Sequence, residues 1–103
     1  MAEHVVCRFD ELPEATALPF EVDGAVVAVV RIGTSVYAIL DRCSHQDVPL
    51  SEGSVDVFEC SIECIKHGST FDLRSGDPLC LPATRPVPVY KATVRDGDVV
   101  VEL

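Results

Sequence analysis

A chain of 103 residues is long enough to bury one core and short for two domains, and 48% hydrophobic against 24% charged residues places it with globular proteins rather than disordered ones. Seventeen acidic against eight basic residues leave a formal charge of -9, which argues against a nucleic-acid backbone or an anionic membrane surface as partner. Met1 to Phe9 shows no basic region followed by an apolar run, and the most hydrophobic stretch, Ala25 to Val30, falls far short of the roughly eighteen residues that span a bilayer, so a cytoplasmic protein is expected.

Short apolar runs rich in Val and Ile, with no Trp and with frequent Gly, Pro and Asp, predict an all-β chain. In chain order, strands are expected at Val5 to Phe9, Pro19 to Val22, Ala25 to Ile32, Ser35 to Asp41, Glu59 to Ile65, Thr70 to Asp72, Val89 to Val94 and Val99 to Leu103. One helical turn fits Glu11 to Ala17, with Pro13 near its start. Asp23-Gly24 and Asp96-Gly97 mark tight hairpins, because these residues tolerate the positive backbone angles that a right-twisted hairpin demands. Gly33-Thr34 marks a third turn. In the last hairpin Tyr90, Ala92 and Val94 alternate with Lys91, Thr93 and Arg95, so one face covers a core. Cys43 to Asp56 and His67 to Pro88 are rich in Ser, Gly, Pro and Asp without a period and read as loops. The resulting picture is one domain over residues 1–103. Antiparallel strands from both chain ends form its base, and a smaller lobe is inserted at about residues 42–83.

Five cysteines, an odd number in a reducing compartment, suit metal ligands and thiols better than a disulfide framework. Two motifs stand apart: Cys43-Ser44-His45, and Cys64-Ile65-Lys66-His67 followed by Gly68. Each pairs a soft thiolate with a borderline imidazole, a donor set that suits iron-sulfur chemistry or zinc. A zinc finger groups its cysteines and its histidines and puts the second pair on a helix. Here the order alternates, and Gly68, Gly76 and Pro78 oppose a helix after His67.

The pair of motifs, Cys-x-His and then Cys-x-x-His, resembles that of the Rieske iron-sulfur proteins. The likeness continues through Pro49-Leu50-Ser51-Glu52-Gly53, Gly68-Ser69-Thr70-Phe71-Asp72 and Pro82-Ala83-Thr84 with Pro86, and is greatest toward the Rieske ferredoxins that serve ring-hydroxylating dioxygenases. It implies a Rieske fold, an antiparallel β-sandwich base carrying a small cluster-binding subdomain of loops and hairpins. It further implies one 2Fe-2S cluster, with Cys43 and Cys64 on one iron and His45 and His67 on the other. Membrane-bound relatives carry a disulfide beside the cluster, and its positions hold Val48 and Lys66 here. Of the serine and tyrosine that donate hydrogen bonds in high-potential relatives, Ser69 is present while Phe71 lacks the hydroxyl. A potential toward the lower end of the roughly -150 to +300 mV Rieske range is therefore expected. A proline-bearing loop covers the cluster in the family, and Pro82 stands at that loop.

No phosphate-cradling loop or nucleotide fingerprint occurs, so electrons are expected from a separate flavin-containing ferredoxin reductase and are passed to an oxygenase or other redox protein. A one-electron carrier that is monomeric and not itself an enzyme follows. Reduction adds negative charge beside the histidines, so the potential should fall as pH rises through their titration in the oxidised state. Other readings are the small subunit of a nitrite reductase, a redox accessory of iron-sulfur assembly, and a structural zinc module. Cys7, Cys60 and Cys80 read as small buried hydrophobes, with Cys60 on the same strand face as Cys64, and His4 as a solvated surface residue.

Overall fold

The computed structural model describes residues 2–44, 47–66 and 68–103. Among them the strands are β1 (Glu3–Arg8), β2 (Thr16–Val22), β3 (Ala25–Ile32), β4 (Ser35–Leu40), β5 (Val55–Asp56), β6 (Ser61–Glu63), β7 (Thr70–Asp72), β8 (Val89–Arg95) and β9 (Asp98–Glu102). A six-stranded antiparallel sheet runs in the order β1-β9-β8-β4-β3-β2, and a three-stranded sheet, β5-β6-β7, is inserted between β4 and β8. The large sheet folds on itself, because β4 and β8 pair only through Ala38 with Tyr90 and Ile39 with Val89. That narrow join lets β9 face β3 across a core, as the sandwich base requires.

Strand β3 explains why its sequence is a continuous apolar run rather than an alternating one. Val27, Ala28, Val29 and Val30 are all fully buried. Val27 and Val29 point with Leu12, Val22, Val99 and Val101 into the core of the base. Ala28 and Val30 point the other way, with Ile39, Ile62, Phe71 and Leu73, into a second core beneath the inserted sheet. A strand buried on both faces has no polar side to show. β2, with Pro19, lies at the sheet edge, where a missing backbone donor costs least.

The hairpins form as expected: Asp23, Gly24, Asp96 and Gly97 all adopt positive φ, at 51, 86, 54 and 81°. The helical turn expected over Glu11 to Ala17 does not. A 3-10 turn lies earlier, at Phe9–Glu11, and β2 has begun by Thr16. Tertiary bonds draw this segment to the end of β3 instead: the Ala15 amide donates to the Arg31 carbonyl at 2.9 Å, and the Glu14 carboxylate accepts from the Gly33 amide at 2.9 Å. The strand expected over Glu59 to Ile65 shortens to Ser61–Glu63, because Asp56 accepts the amides of Phe58 and Glu59 and Cys60 turns left-handed at φ 54°. The stretch expected as a loop after Cys43 holds a 3-10 turn, Leu50–Glu52, and the short strand β5. Tyr90 and Ala92 cover the base core, whereas Val94, near the hairpin end, stays exposed.

Asp72 closes the inserted sheet. Its carboxylate takes the Arg74 amide at 2.7 Å and the Arg74 guanidinium at 3.0 Å. The hydrogen bond and charge of Arg74 hold the carboxyl below the ordinary aspartate value of 3.8. A carboxyl depressed in the folded state adds stability that is complete above its unfolded pKa and is lost as pH falls through the folded one. The melting temperature should thus drop more steeply below about pH 4 in the native chain than in Asp72→Asn, a difference that melts across acid buffers will read.

Candidate metal centre

Three segments meet above the second core. The first loop leaves β4 through Asp41, which is buried and whose carboxylate clamps Ser51 twice, accepting its amide at 2.6 Å and its hydroxyl at 2.7 Å. The Cys43 amide donates to the Val48 carbonyl at 3.0 Å, closing the loop back on itself. The second loop follows β6: the Cys64 amide donates to Ser69 at 2.7 Å and the Gly68 amide to Cys64 at 3.0 Å, a tight turn that places Gly68 at φ 75°. A third segment, residues 79–87, crosses over both.

The two loops bring Cys43 and Cys64 together. Both side chains are buried, at 2% and 1% exposure, in the same apolar cluster as Leu50, Ile62, Phe71 and Ala83. No disulfide joins any of the five cysteines. Two thiols presented from separate loops to one apolar interior form a donor set that fits a soft metal-sulfide group. His45 and His67 lie outside the described residues, and among the described residues no third metal-binding side chain converges on the thiols. Ser69 is buried beside them, and its hydroxyl oxygen accepts the Ala83 amide at 3.2 Å, which leaves its own proton to donate elsewhere. Phe71 is fully buried in the same cluster and offers no donor. Pro82 is half-buried and follows a cis peptide bond.

The remaining cysteines differ in part from expectation. Cys7 and Cys60 are half-buried, while Cys80 is exposed, its thiol 3.4 Å from the Thr70 hydroxyl and 3.5 Å from the Gly68 carbonyl, because the third segment runs along the surface. Cys60 sits in the turn before β6 and so does not share a strand face with Cys64. The Tyr37 hydroxyl bonds to its thiol, and this bond together with burial raises the Tyr37 pKa. His4 is not the solvated residue expected: its Nε2 is buried without a hydrogen-bond partner among the described residues.

Sequence reading assigned no structural role to two residues that fix the first loop. Asp41 immediately precedes the motif region and could have been read only as a strand end. Gly53 carries an ordinary φ of -89°, so no turn signal marks it, yet a Cβ there would stand 1.5 Å from the Glu63 carbonyl oxygen.

Each of the three segments carries one exposed cation: Arg42, Lys66 and Arg85. Arg42 pairs with Asp47 at 3.2 Å, whereas Lys66 and Arg85 make no ion pair among the described residues. Ile65 and Leu81, at 55% and 76% exposure, add apolar surface beside them. Among the described residues no helix is long and apolar enough to cross a membrane.

Comparison with known proteins shows the family. The family model of the Rieske 2Fe-2S domain matches residues 2–91. The chain is 38% identical over 97 residues to the 3-phenylpropionate/cinnamic acid dioxygenase ferredoxin subunit of Escherichia coli K12, covering 94% of this chain and 90% of that protein. It is 38% identical to the ferredoxin of carbazole 1,9a-dioxygenase from Nocardioides aromaticivorans IC177, with a TM-score of 0.95 over 98% of this chain and 97% of that one. A structure described as the complex of reduced oxygenase and oxidized ferredoxin in carbazole 1,9a-dioxygenase matches at 35% identity and a TM-score of 0.89, over 96% of this chain and 91% of that one.

Proposed function

The chain belongs to the Rieske 2Fe-2S domain family, and from that premise we propose that Cys43 and Cys64 hold one iron of its cluster, His45 and His67 hold the other, and a ring-hydroxylating terminal oxygenase receives its electron. It acts as a ferredoxin, an electron-transfer component rather than an enzyme. One 2Fe-2S cluster of Rieske type is its cofactor, and when bound this group supplies a one-electron couple. The observation that carries the ligand reading is the convergence of two buried thiols from two loops under one covering segment. A flavin-containing reductase is the proposed donor.

The residues of this chain set the conditions for transfer. Ala83 and Val87 close the apolar interior around the thiols, which excludes water from that side. Ser69 holds a free proton where a hydrogen bond toward sulfur would favour the reduced state, and Phe71 withholds a second one. The missing hydroxyl at Phe71 argues for a potential low in the Rieske range, and Phe71→Tyr should raise it, as protein-film voltammetry of the two proteins will show.

Ile65 and Leu81 with Lys66 and Arg85 describe the surface that faces a partner. Such a face fits an apolar recess rimmed by carboxylates, while the acidic remainder of the chain turns away and orients the approach. Stopped-flow oxidation of the reduced protein by a ring-hydroxylating oxygenase tests this reading. Transfer should be observed, should slow with added salt, and should slow roughly tenfold at low salt in Lys66→Glu. No oxidation by any such oxygenase would remove the proposed acceptor. An unchanged rate in the variant would remove the charge assignment alone.

A further inference from the structure

Residues 79–87 form a strap whose attachments are unevenly shared between the two loops. Toward the second loop and its strand the strap makes several bonds. The Leu79 amide donates to Thr70 at 2.7 Å, the Cys80 thiol lies 3.5 Å from the Gly68 carbonyl, and the Ala83 amide reaches the Ser69 hydroxyl at 3.2 Å. At its end the Val87 amide donates to Gly76 at 2.9 Å. Toward the first loop, one hydrogen bond is found among the described residues: the Ser44 hydroxyl donates to the Arg85 carbonyl at 2.6 Å. Ser44 is the middle residue of Cys43-Ser44-His45, so this bond ties the strap to the chain between two expected ligands.

The strap has few other means of staying closed. Pro82 and Pro86 have no amide to donate, which interrupts any sheet ladder across the tip. Two of its residues face inward: Ala83 and Val87 are each 3% exposed and pack in the cluster with Cys43 and Cys64, while Leu81 is exposed at 76%. Lifting the strap would therefore open the thiols to water from the side of the first loop.

We propose that Ser44 is a positioning residue, a latch whose hydroxyl holds the strap closed over the metal centre and so governs both retention of the cluster and its contact with water. The inference rests on the ligand reading given above for Cys43 and Cys64. Water near the centre favours the reduced state, which carries one more negative charge, so an unlatched strap raises the potential. It also admits chelators. Threonine keeps the hydroxyl and alanine removes it.

The experiment uses the cluster-loaded protein and two variants, Ser44→Ala and Ser44→Thr. Three quantities are read: the rate of iron loss to bipyridyl, a neutral chelator; the reduction potential by film voltammetry; and hydrogen exchange at the amides of Ala83 and Val87. Loss of one surface hydrogen bond should speed iron loss and amide exchange in Ser44→Ala by roughly fivefold, with an upward shift in potential, while Ser44→Thr stays at the native values. Native values for all three in Ser44→Ala would overturn the latch while leaving the ligand reading intact. Faster loss that Ser44→Thr fails to rescue would also overturn it, since the hydroxyl would then not be responsible. A native protein that takes up no Rieske cluster would overturn the ligand reading itself, and the latch with it.

Discussion

Replacing Cys64 by serine is expected to abolish the red-brown colour and the reduced-state paramagnetic resonance of the protein, with bound iron falling to background. The thiol is 1% exposed and lies in one apolar cluster with Cys43, so solvent does not reach the site to supply a replacement ligand. A serine hydroxyl is a hard donor with a high pKa and does not substitute for thiolate toward iron-sulfur chemistry. The same loss is expected for Cys43→Ser. Cys80→Ser serves as the control: this thiol is exposed, and its replacement should leave the spectrum intact. His67→Cys should keep a coloured cluster but change its spectrum, because the donor on that iron would change. An unchanged spectrum in His67→Cys would refute the assignment of His67.

Gly53→Ala is expected to destabilise the folded chain by about 3 kcal/mol, which for a domain of this size lowers the melting temperature by roughly 15 °C. The cause is steric and not torsional, since φ at Gly53 is -89° and suits any residue. A Cβ would meet the Glu63 carbonyl oxygen at 1.5 Å and its carbon at 2.8 Å. Both are backbone atoms of β6, held in place by the Glu63 amide donating to Ser54 at 2.9 Å, and a strand cannot move aside as a flexible side chain would. Relief requires parting residues 53–54 from β6, which also displaces the strand that delivers Cys64. Thermal melts followed by circular dichroism check the size of the effect, and iron content checks that the loss reaches the metal centre. A variant that melts within a few degrees of the native chain would show that the two backbones separate at little cost.

Much of the architecture was legible because its signals are local. Asp23-Gly24 and Asp96-Gly97 specify their hairpins through backbone angles that few other residues adopt, and the apolar runs between them mark the strands. Where expectation failed, a long-range contact had outcompeted a local preference. Glu11 to Ala17 lost its helical turn to bonds with Arg31 and Gly33, and Glu59 and Cys60 left their expected strand when Asp56 captured the turn. Cys80 was expected to be buried from its residue type alone, and the path of the strap decided otherwise.

For the metal centre the division is similar. The sequence alone made the proposed donor chemistry legible, because thiolate and imidazole side chains at Cys-x-His and Cys-x-x-His spacing have few other uses. It also determined what surrounds them in kind, a serine and a phenylalanine following the second motif. How those residues are held comes from contacts that form on folding. Asp41 clamps Ser51, Gly53 makes room for β6, Ser44 reaches Arg85 across 41 residues of chain, and Lys66 and Arg85 come from separate segments to one end of an acidic protein. Each of these is a contact between segments distant in sequence, set by where the folded backbone passes, and no composition or local period encodes such a meeting.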